Sequence, residues 1–425
     1  MSTKHTLSYY AASKNQDLRF PTLKGSHVAD VCIVGSGITG ATAALELANK
    51  GYSVIVLEAN RVGWGASGRS GGQAIFGWAS EQHTLEKLVG ESDAKKLWEL
   101  SIEALALTKN NIKKYNIDCD WRDGMVHLGM KSRHDKELKE WYANLTERYQ
   151  YDSLELWDKE QVRENIDSDK YTSGMLDRNS GHLHPLNYTL GLTNAAQAAG
   201  AQFFEESAVI KIEHGDPATL FTKHGEVKAN HVILACNAYM EGLESSLENK
   251  VMPVGTYICA TEPLEEDLTN KLMKNRIAAS DINFVLDYFR CSGDNRMLFG
   301  GRVSYSGVAP FNLEKAMRNR MVSIFPQLTN AKIDYAWGGN VAITMNRAPH
   351  FGRLKPNIYF AQGFSGHGIA VTGLAGTLMA ECVAATSERF AIFDKVPHMS
   401  FPGGRLLRTP ALVLAMSYYR VRDLL

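Results

Sequence analysis

Residues 31–40 read VCIVGSGITG, and after a helical stretch a second apolar run, VIVLE, closes on Glu58. Few local patterns restrict a chain as tightly as this one. Gly35 suits the tight turn that leaves a strand, Gly37 lets backbone approach a pyrophosphate, and Gly40 lets the following helix pack closely on that strand. Ile38, Ala41, Leu45 and Ala48 mark one helical face, and Gly51 stands where the helix should stop. The positive end of that helix favours a diphosphate. An acid at the end of the second strand can accept ribose hydroxyls. The unit therefore reads as a binding site for an adenine dinucleotide.

The rest of the chain must accommodate that unit. Its 425 residues allow two domains, and 44% hydrophobic with 22% charged residues is ordinary for a globular protein. The 46 basic residues are balanced by 46 acidic ones, which gives no global attraction to nucleic acid or a membrane surface. Six cysteines are scattered without a CxxC pair or metal-ligand spacing, a usage that fits a reducing compartment. No signal-like start and no apolar run long enough to span a membrane is present, so a cytoplasmic enzyme is expected.

Segment character divides the chain. Nucleotide-type sequence occupies 1–80, 184–240 and 336–425, and sequence of a different kind fills 81–183 and 241–335. The expected fold class is α/β: a discontinuous Rossmann-like cofactor domain with an inserted α+β substrate domain built on an antiparallel sheet. Trp98, Ile102, Leu105 and Ile112 predict one amphipathic helix in the insert, and Leu138, Trp141, Leu145 and Tyr149 another. Val126, Leu128 and Met130 alternate as in a half-buried strand. A helix is predicted from Pro185 to Gly200, and FVLDYFRC and RMLFGGRVS flank SGDN as a hairpin. Gly373, Gly376 and Ala380 form a small-residue stripe on a last helix.

Two features favour FAD over NAD. A loop rich in glycine and serine, ANRVGWGASGRSGGQAIFG, follows the Glu58 strand and offers backbone to a longer cofactor. QGFSGHGI at 362–369 is a second strand-to-helix turn, whose helix end would stabilise the negative charge of a reduced flavin.

GWGASGRSGGQ, VILACNAY and GFSGHG, with VCIVGSGITG and Glu58, resemble the FAD-dependent amine and D-amino-acid oxidase family, in its glycine/sarcosine oxidase branch. HTLSYYAAS, IDCDWR, GHLHPLN, LDYFR and HMSFPGGRLLRTP extend the resemblance toward enzymes that oxidise a gamma-glutamyl amine. The resemblance implies a glutathione-reductase type of cofactor domain. It also implies FAD contacts at Gly35, Ser36, Gly37, Ile38, Gly40, Glu58, Ala59, Ala66, Ser67, Gly71, Gly72, Gln73, Val209, Asn237, Gly366, His367, Gly368 and Ile369. It further implies O2 as acceptor, with peroxide as product. The chain departs from the sarcosine branch at four positions. Gly77 and Ala370 stand where that branch clamps a substrate carboxylate with Arg and Lys, which suits a simple alkyl amine. Val341 stands near its flavin-attaching cysteine, so FAD is expected to be non-covalent. Leu298 stands near its oxygen-activating Lys.

Other residues leave alternatives open. Tyr288 and Trp337 are candidates for an aromatic wall around the reacting amine, or else core. Arg290 and Arg302 are candidates for the glutamyl carboxylate, or else solvated surface. His367 would touch the flavin edge or cap a helix. His182 and His184 lack a third ligand, so no metal is expected. The competing functions are an FAD dehydrogenase passing electrons to a quinone or carrier, and a flavin-binding accessory subunit without its own substrate.

Overall fold

The computed structural model describes residues 4–301 and 311–403, together with residue 410. Among the described residues the strands form two sheets, one of eight strands and one of nine.

The first sheet runs His350–Lys355, Ile358–Gln362, Gly225–Leu234, Gly25–Val34, Val54–Leu57, Gln202–Phe204, with Val209–Glu213 and Ala218–Thr222 attached beside Gly225–Leu234. Its central pairs are parallel. Val54–Leu57 and Ile358–Gln362 are buried along their whole length, as strands covered on both faces must be. The helices Ile38–Asn49 and Gly368–Val383 cross on one face, with Pro185–Ala198 and Glu91–Lys114 packed against them. The crossing is close because Gly376 has no side chain: a Cβ there would lie 2.5 Å from the Thr39 carbonyl oxygen.

The second sheet runs Ile333–Ile343, Met252–Thr261, Met297–Gly301, Tyr288–Cys291, Ala278–Asp281, Arg122–Gly129, Ser173–His182, Gln73–Ala74, with Leu154–Trp157 beside Ser173–His182. It is antiparallel except between Ala278–Asp281 and Arg122–Gly129. The helix Leu313–Ile324 covers one face, and Met317, Met321 and Ile324 pack into a core with Phe289, Phe299 and Phe325.

Several elements differ from expectation. Gln73–Ala74 and all of Ile333–Ile343 belong to the second sheet, although the sequence put residue 80 and residue 336 at the boundaries. Glu91–Lys114 packs on Gly368–Val383 instead of on the inserted sheet. Arg122–Gly129 is buried from Gly124 onward, because it is a central strand with neighbours on both sides. The second insert helix ends at Ala143 and finishes as a π-helical turn, Asn144–Arg148. The SGDN hairpin forms, pairing Tyr288–Cys291 with Met297–Gly301.

Candidate active site

A cavity of about 1270 Å³ runs between the two sheets. One end begins at the fingerprint. Gly35 has φ +101°, and a Cβ there would lie 2.9 Å from the Ala235 oxygen, so only glycine completes this turn. A Cβ on Gly37 would stand 2.7 Å from Ser67 Oγ, and that hydroxyl accepts a bond from the Ile38 amide at 3.0 Å. A Cβ on Gly40 would meet the Gly35 oxygen at 1.9 Å. Gly40 is thus a packing position behind the turn, not a cavity wall.

Glu58 lines the cavity, but three bonds already hold its carboxylate. Ser36 donates from both its amide and its hydroxyl, each at 2.9 Å, and the Asn60 amide donates at 2.9 Å. Burial nonetheless pushes this carboxyl above its ordinary range. Ser36 itself is fully buried and does not line the cavity, so its part is to aim Glu58. Ala59, Val209 and Asn237 line the same end. Asn237 also accepts from the Gly363 amide at 3.0 Å, tying this end to the second turn.

Ala66, Ser67, Gly71, Gly72 and Gln73 carry the wall onward, and Gly366, His367, Gly368 and Ile369 close it. Gly72 has φ +81°, and a Cβ there would meet the Leu183 oxygen at 2.1 Å. The helix Gly368–Val383 starts at His367, whose side chain does not cap it. Instead Nε2–H donates to the Phe76 oxygen at 2.8 Å, leaving Nδ1 as acceptor, and burial lowers the ring's pKa. Two helix N-termini therefore face one elongated cavity whose glycine walls leave no room for side chains. That form fits FAD: Gly35–Ile38 would hold its diphosphate, and Gly71–Gln73 with Gly366–Ile369 would hold its ring.

The family comparison agrees with this form. The model of the FAD dependent oxidoreductase family matches residues 30–382. The chain belongs to that family. It is 44% identical over 425 residues to "Probable oxidoreductase OrdL" of Haemophilus influenzae, covering 99% of this chain and 98% of that one. It is 43% identical over 422 residues to "Gamma-glutamylputrescine oxidoreductase" of Escherichia coli, covering 99% of each. Among solved structures, glycine oxidase from Geobacillus kaustophilus has the same fold, with TM-score 0.69, 22% identity and coverage of 84% of this chain and 95% of that one. L-proline dehydrogenase from P. horikoshii gives 0.71 at 19% identity, covering 88% and 98%. This chain is accordingly an FAD-dependent oxidoreductase, built on the α/β fold with mixed sheets that its family shares.

The remaining candidates separate. Tyr288 lines the cavity, and its ring lies so close to Gly71 and Gly300 that Cβ atoms there would come within 2.7 Å and 2.0 Å of it. Trp337 does not line it. That indole is buried, donates from Nε1 to the Arg69 oxygen at 2.9 Å and meets Tyr10 edge-on at 5.3 Å. Arg290 is also buried away from the cavity. It donates to the oxygens of Gly71 at 2.8 Å and Leu183 at 2.9 Å, and to the Tyr10 hydroxyl at 3.1 Å. Neither is placed to touch a substrate. Both satisfy carbonyls of the glycine-rich segment and its neighbour, which have no sheet partners and would otherwise be buried without donors. Arg302 lies outside the described residues. His182 donates from Nε2 to the Arg276 oxygen at 2.7 Å, and His184 caps the helix Pro185–Ala198 through Nδ1. Among the described residues no group of three His, Cys, Asp or Glu side chains is placed to hold a metal.

Beyond Gly71–Gln73 and Gly366–Ile369 the cavity opens among side chains that the sequence did not single out for chemistry. Phe76, Trp98 and Trp141 wall it, with Phe76 5.9 Å from Trp98 and 5.5 Å from Trp141, ring to ring. The His127 ring lies 4.9 Å from that of Trp141, tilted by 53°, and burial pushes its pKa down to about 3, so it is neutral. Trp98 and Trp141 had shown only helical periodicity. Their joint role needs two helices to converge on one strand, which no local pattern reveals. Ser280 and Asp281, the loop 282–286 and Arg347 complete this lobe. Arg347 takes a left-handed φ of +61°, and its guanidinium lies 5.5 Å from the Phe284 ring centroid.

Proposed function

We propose that this enzyme oxidises the terminal primary amine of gamma-glutamylputrescine, in putrescine catabolism. The observation that carries the reading is the 43% identity, along 99% of both chains, to the Escherichia coli protein named for that substrate. The geometry of the cavity supports it. A lobe walled by Phe76, Trp98 and Trp141 suits an aliphatic chain ending in an amine, through apolar burial and cation–π attraction. Gly77 lines the cavity without a charge, and Ala370 is buried and apolar, so no carboxylate clamp stands at either position.

Bound FAD supplies a hydride acceptor for the amine-bearing carbon. The chain's own residues do the rest. Tyr288 and the aromatic walls orient the alkyl chain and exclude water. His367, neutral and fixed by Phe76, leaves Nδ1 as an acceptor at the start of the last long helix. Arg347 supplies a cation for the glutamyl carboxylate, in place of Arg290. The imine product hydrolyses to gamma-glutamyl-aminobutyraldehyde and ammonia, and O2 is reduced to H2O2. We take the FAD to be non-covalent: Val341 lines the ring end, and the cavity-lining Cys236 adjoins Asn237 at the other. The six cysteines are unpaired thiols, which supports a cytoplasmic setting. No helix of the described residues is long and apolar enough to cross a membrane.

Anaerobic mixing tests the substrate. Gamma-glutamylputrescine should bleach the flavin at much lower concentration than sarcosine or glycine, and preferential bleaching by sarcosine would overturn the reading. Under air, one peroxide per amine is expected, and turnover only with an artificial acceptor would exclude the oxidase form.

A further inference from the structure

The segment Arg69–Gln73 lines the cavity, and its carbonyls are held from the side of the second sheet. Trp337 Nε1–H donates to the Arg69 oxygen at 2.9 Å and Arg290 Nε–H to the Gly71 oxygen at 2.8 Å. The Leu183 amide donates to the Gly72 oxygen at 2.8 Å. In a trans peptide a carbonyl and the N–H that follows it point in opposite directions. The hold of Arg290 on the Gly71 oxygen therefore turns the Gly72 amide away from that arginine. The side toward Arg290 is closed: a Cβ on Gly72 would stand 2.1 Å from the Leu183 oxygen and 3.1 Å from the guanidinium. Gly72 can meet a cofactor only from the other side, where its amide is a donor.

Both side chains that hold these carbonyls meet one residue from the start of the chain. Tyr10 is completely buried, and its hydroxyl accepts from Arg290 Nη2 at 3.1 Å. Its ring lies edge-on to Trp337 at 5.3 Å and to His184 at 4.9 Å. The segment that carries it is pinned at three points around the short helix Tyr9–Ala12. Tyr9 donates to Asp294 Oδ1 at 2.6 Å, in the turn between Tyr288–Cys291 and Met297–Gly301. Ser13 Oγ stands 3.1 Å from His184 Nε2, and the Asn15 amide donates to Asn187 Oδ1 at 3.0 Å, both at the start of Pro185–Ala198. Tyr10 is thereby fixed between a hairpin of the second sheet and a helix packed on the first. Phenylalanine would fill the same space, but it would leave one N–H of a buried guanidinium without its acceptor.

We propose that Tyr10 is a positioning residue for FAD: through Arg290 it fixes the peptide from Gly71 to Gly72, so that the Gly72 amide is presented to the flavin. Tyr10 does not line the cavity, so its hydroxyl acts only through that arginine. It does so whichever amine the enzyme oxidises.

The test is Tyr10→Phe in the wild-type and Arg290→Met backgrounds, read by the rate of FAD release and by the visible spectrum of the bound flavin. In the wild-type background, Tyr10→Phe should release FAD about tenfold faster and shift the visible flavin band. In the Arg290→Met background it should change neither reading, because its effect passes through the missing guanidinium. Equal losses in both backgrounds would mean that Tyr10 only fills space, and would overturn the proposal. So would an unaltered flavin band in Tyr10→Phe, whatever happens to its melting temperature. If Arg290→Met retains too little FAD to measure, the Tyr10→Phe spectrum decides alone: a shifted band supports the assignment and an unaltered one ends it.

Discussion

At the scale of single residues, Arg290 and Arg347 have opposite kinds of work. Arg290 is buried among carbonyls of the cofactor loop, whereas Arg347 faces the lobe beyond it. Removing Arg290 leaves the oxygens of Gly71 and Leu183 without their donor, a cost of about 1–3 kcal/mol for each buried group. Arg290→Met should therefore release FAD more readily and lower the melting temperature, with little change in KM for the loaded enzyme. Arg347→Met should do the reverse: unchanged FAD retention, and a KM for gamma-glutamylputrescine raised about tenfold or more, while weak turnover of plain putrescine is unaffected. Flavin fluorescence on release and steady-state kinetics separate the two. The sequence identified Arg290 as notable but not its task, because spacing cannot tell whether an arginine meets a ligand or a carbonyl. The glycines were plainer, since Gly35 and Gly37 have no alternative once the strand, turn and helix are recognised.

At the scale of elements, the junction of two helices decides how the cavity's two turns face each other. Ile38–Asn49 and Gly368–Val383 each carry one of those turns at its N-terminus, so their crossing sets the distance between the two turns. The sequence showed Gly373 and Gly376 on one stripe but could not rank them. A Cβ on Gly373 would find its nearest neighbour at 3.8 Å, which is ordinary contact. On Gly376 it would press on backbone at 2.5 Å and 2.9 Å, from Thr39 and Ala43. Gly373→Ala should accordingly stabilise the protein by about 0.5–1 kcal/mol through helix propensity. Gly376→Ala should destabilise it by about 1–3 kcal/mol and weaken FAD binding, because the helices must move apart. Thermal melts of the apo and holo forms check both. Helices and the hairpin were legible from periodicity and turn residues. Sheet membership was not, because Gln73–Ala74 is too short to have a period and joins Ser173–His182 across a long sequence separation.

At the scale of the whole molecule, the interface between the sheets is held by buried groups that must stay uncharged. His127 and His182 are fully enclosed and His184 nearly so, and burial pushes each of their pKa values down to about 3. His182 shows why: Nε2–H donates to the Arg276 oxygen, and Nδ1 stands 3.3 Å from the Arg290 guanidinium, where a second proton would face a cation. The sign of the pH effect follows. An unfolded histidine titrates near 6.5, so these residues leave stability intact above that pH, and stability is lost as pH falls from 6.5 toward 3. At pH 5 each such histidine costs up to about 2 kcal/mol, because the unfolded state binds a proton that the folded state refuses. The raised carboxyls of Glu58, Asp281 and Asp287 act in the opposite direction over part of that range, but burial also lowers His5, His350 and His398, which add to the three histidines above. The melting temperature of the holoenzyme should therefore fall between pH 7 and pH 5. His182→Gln should lower it at pH 7 by loosening Arg290, yet reduce its slope with pH. A slope as steep in His182→Gln as in the wild type would show that this histidine already carries its proton in the fold.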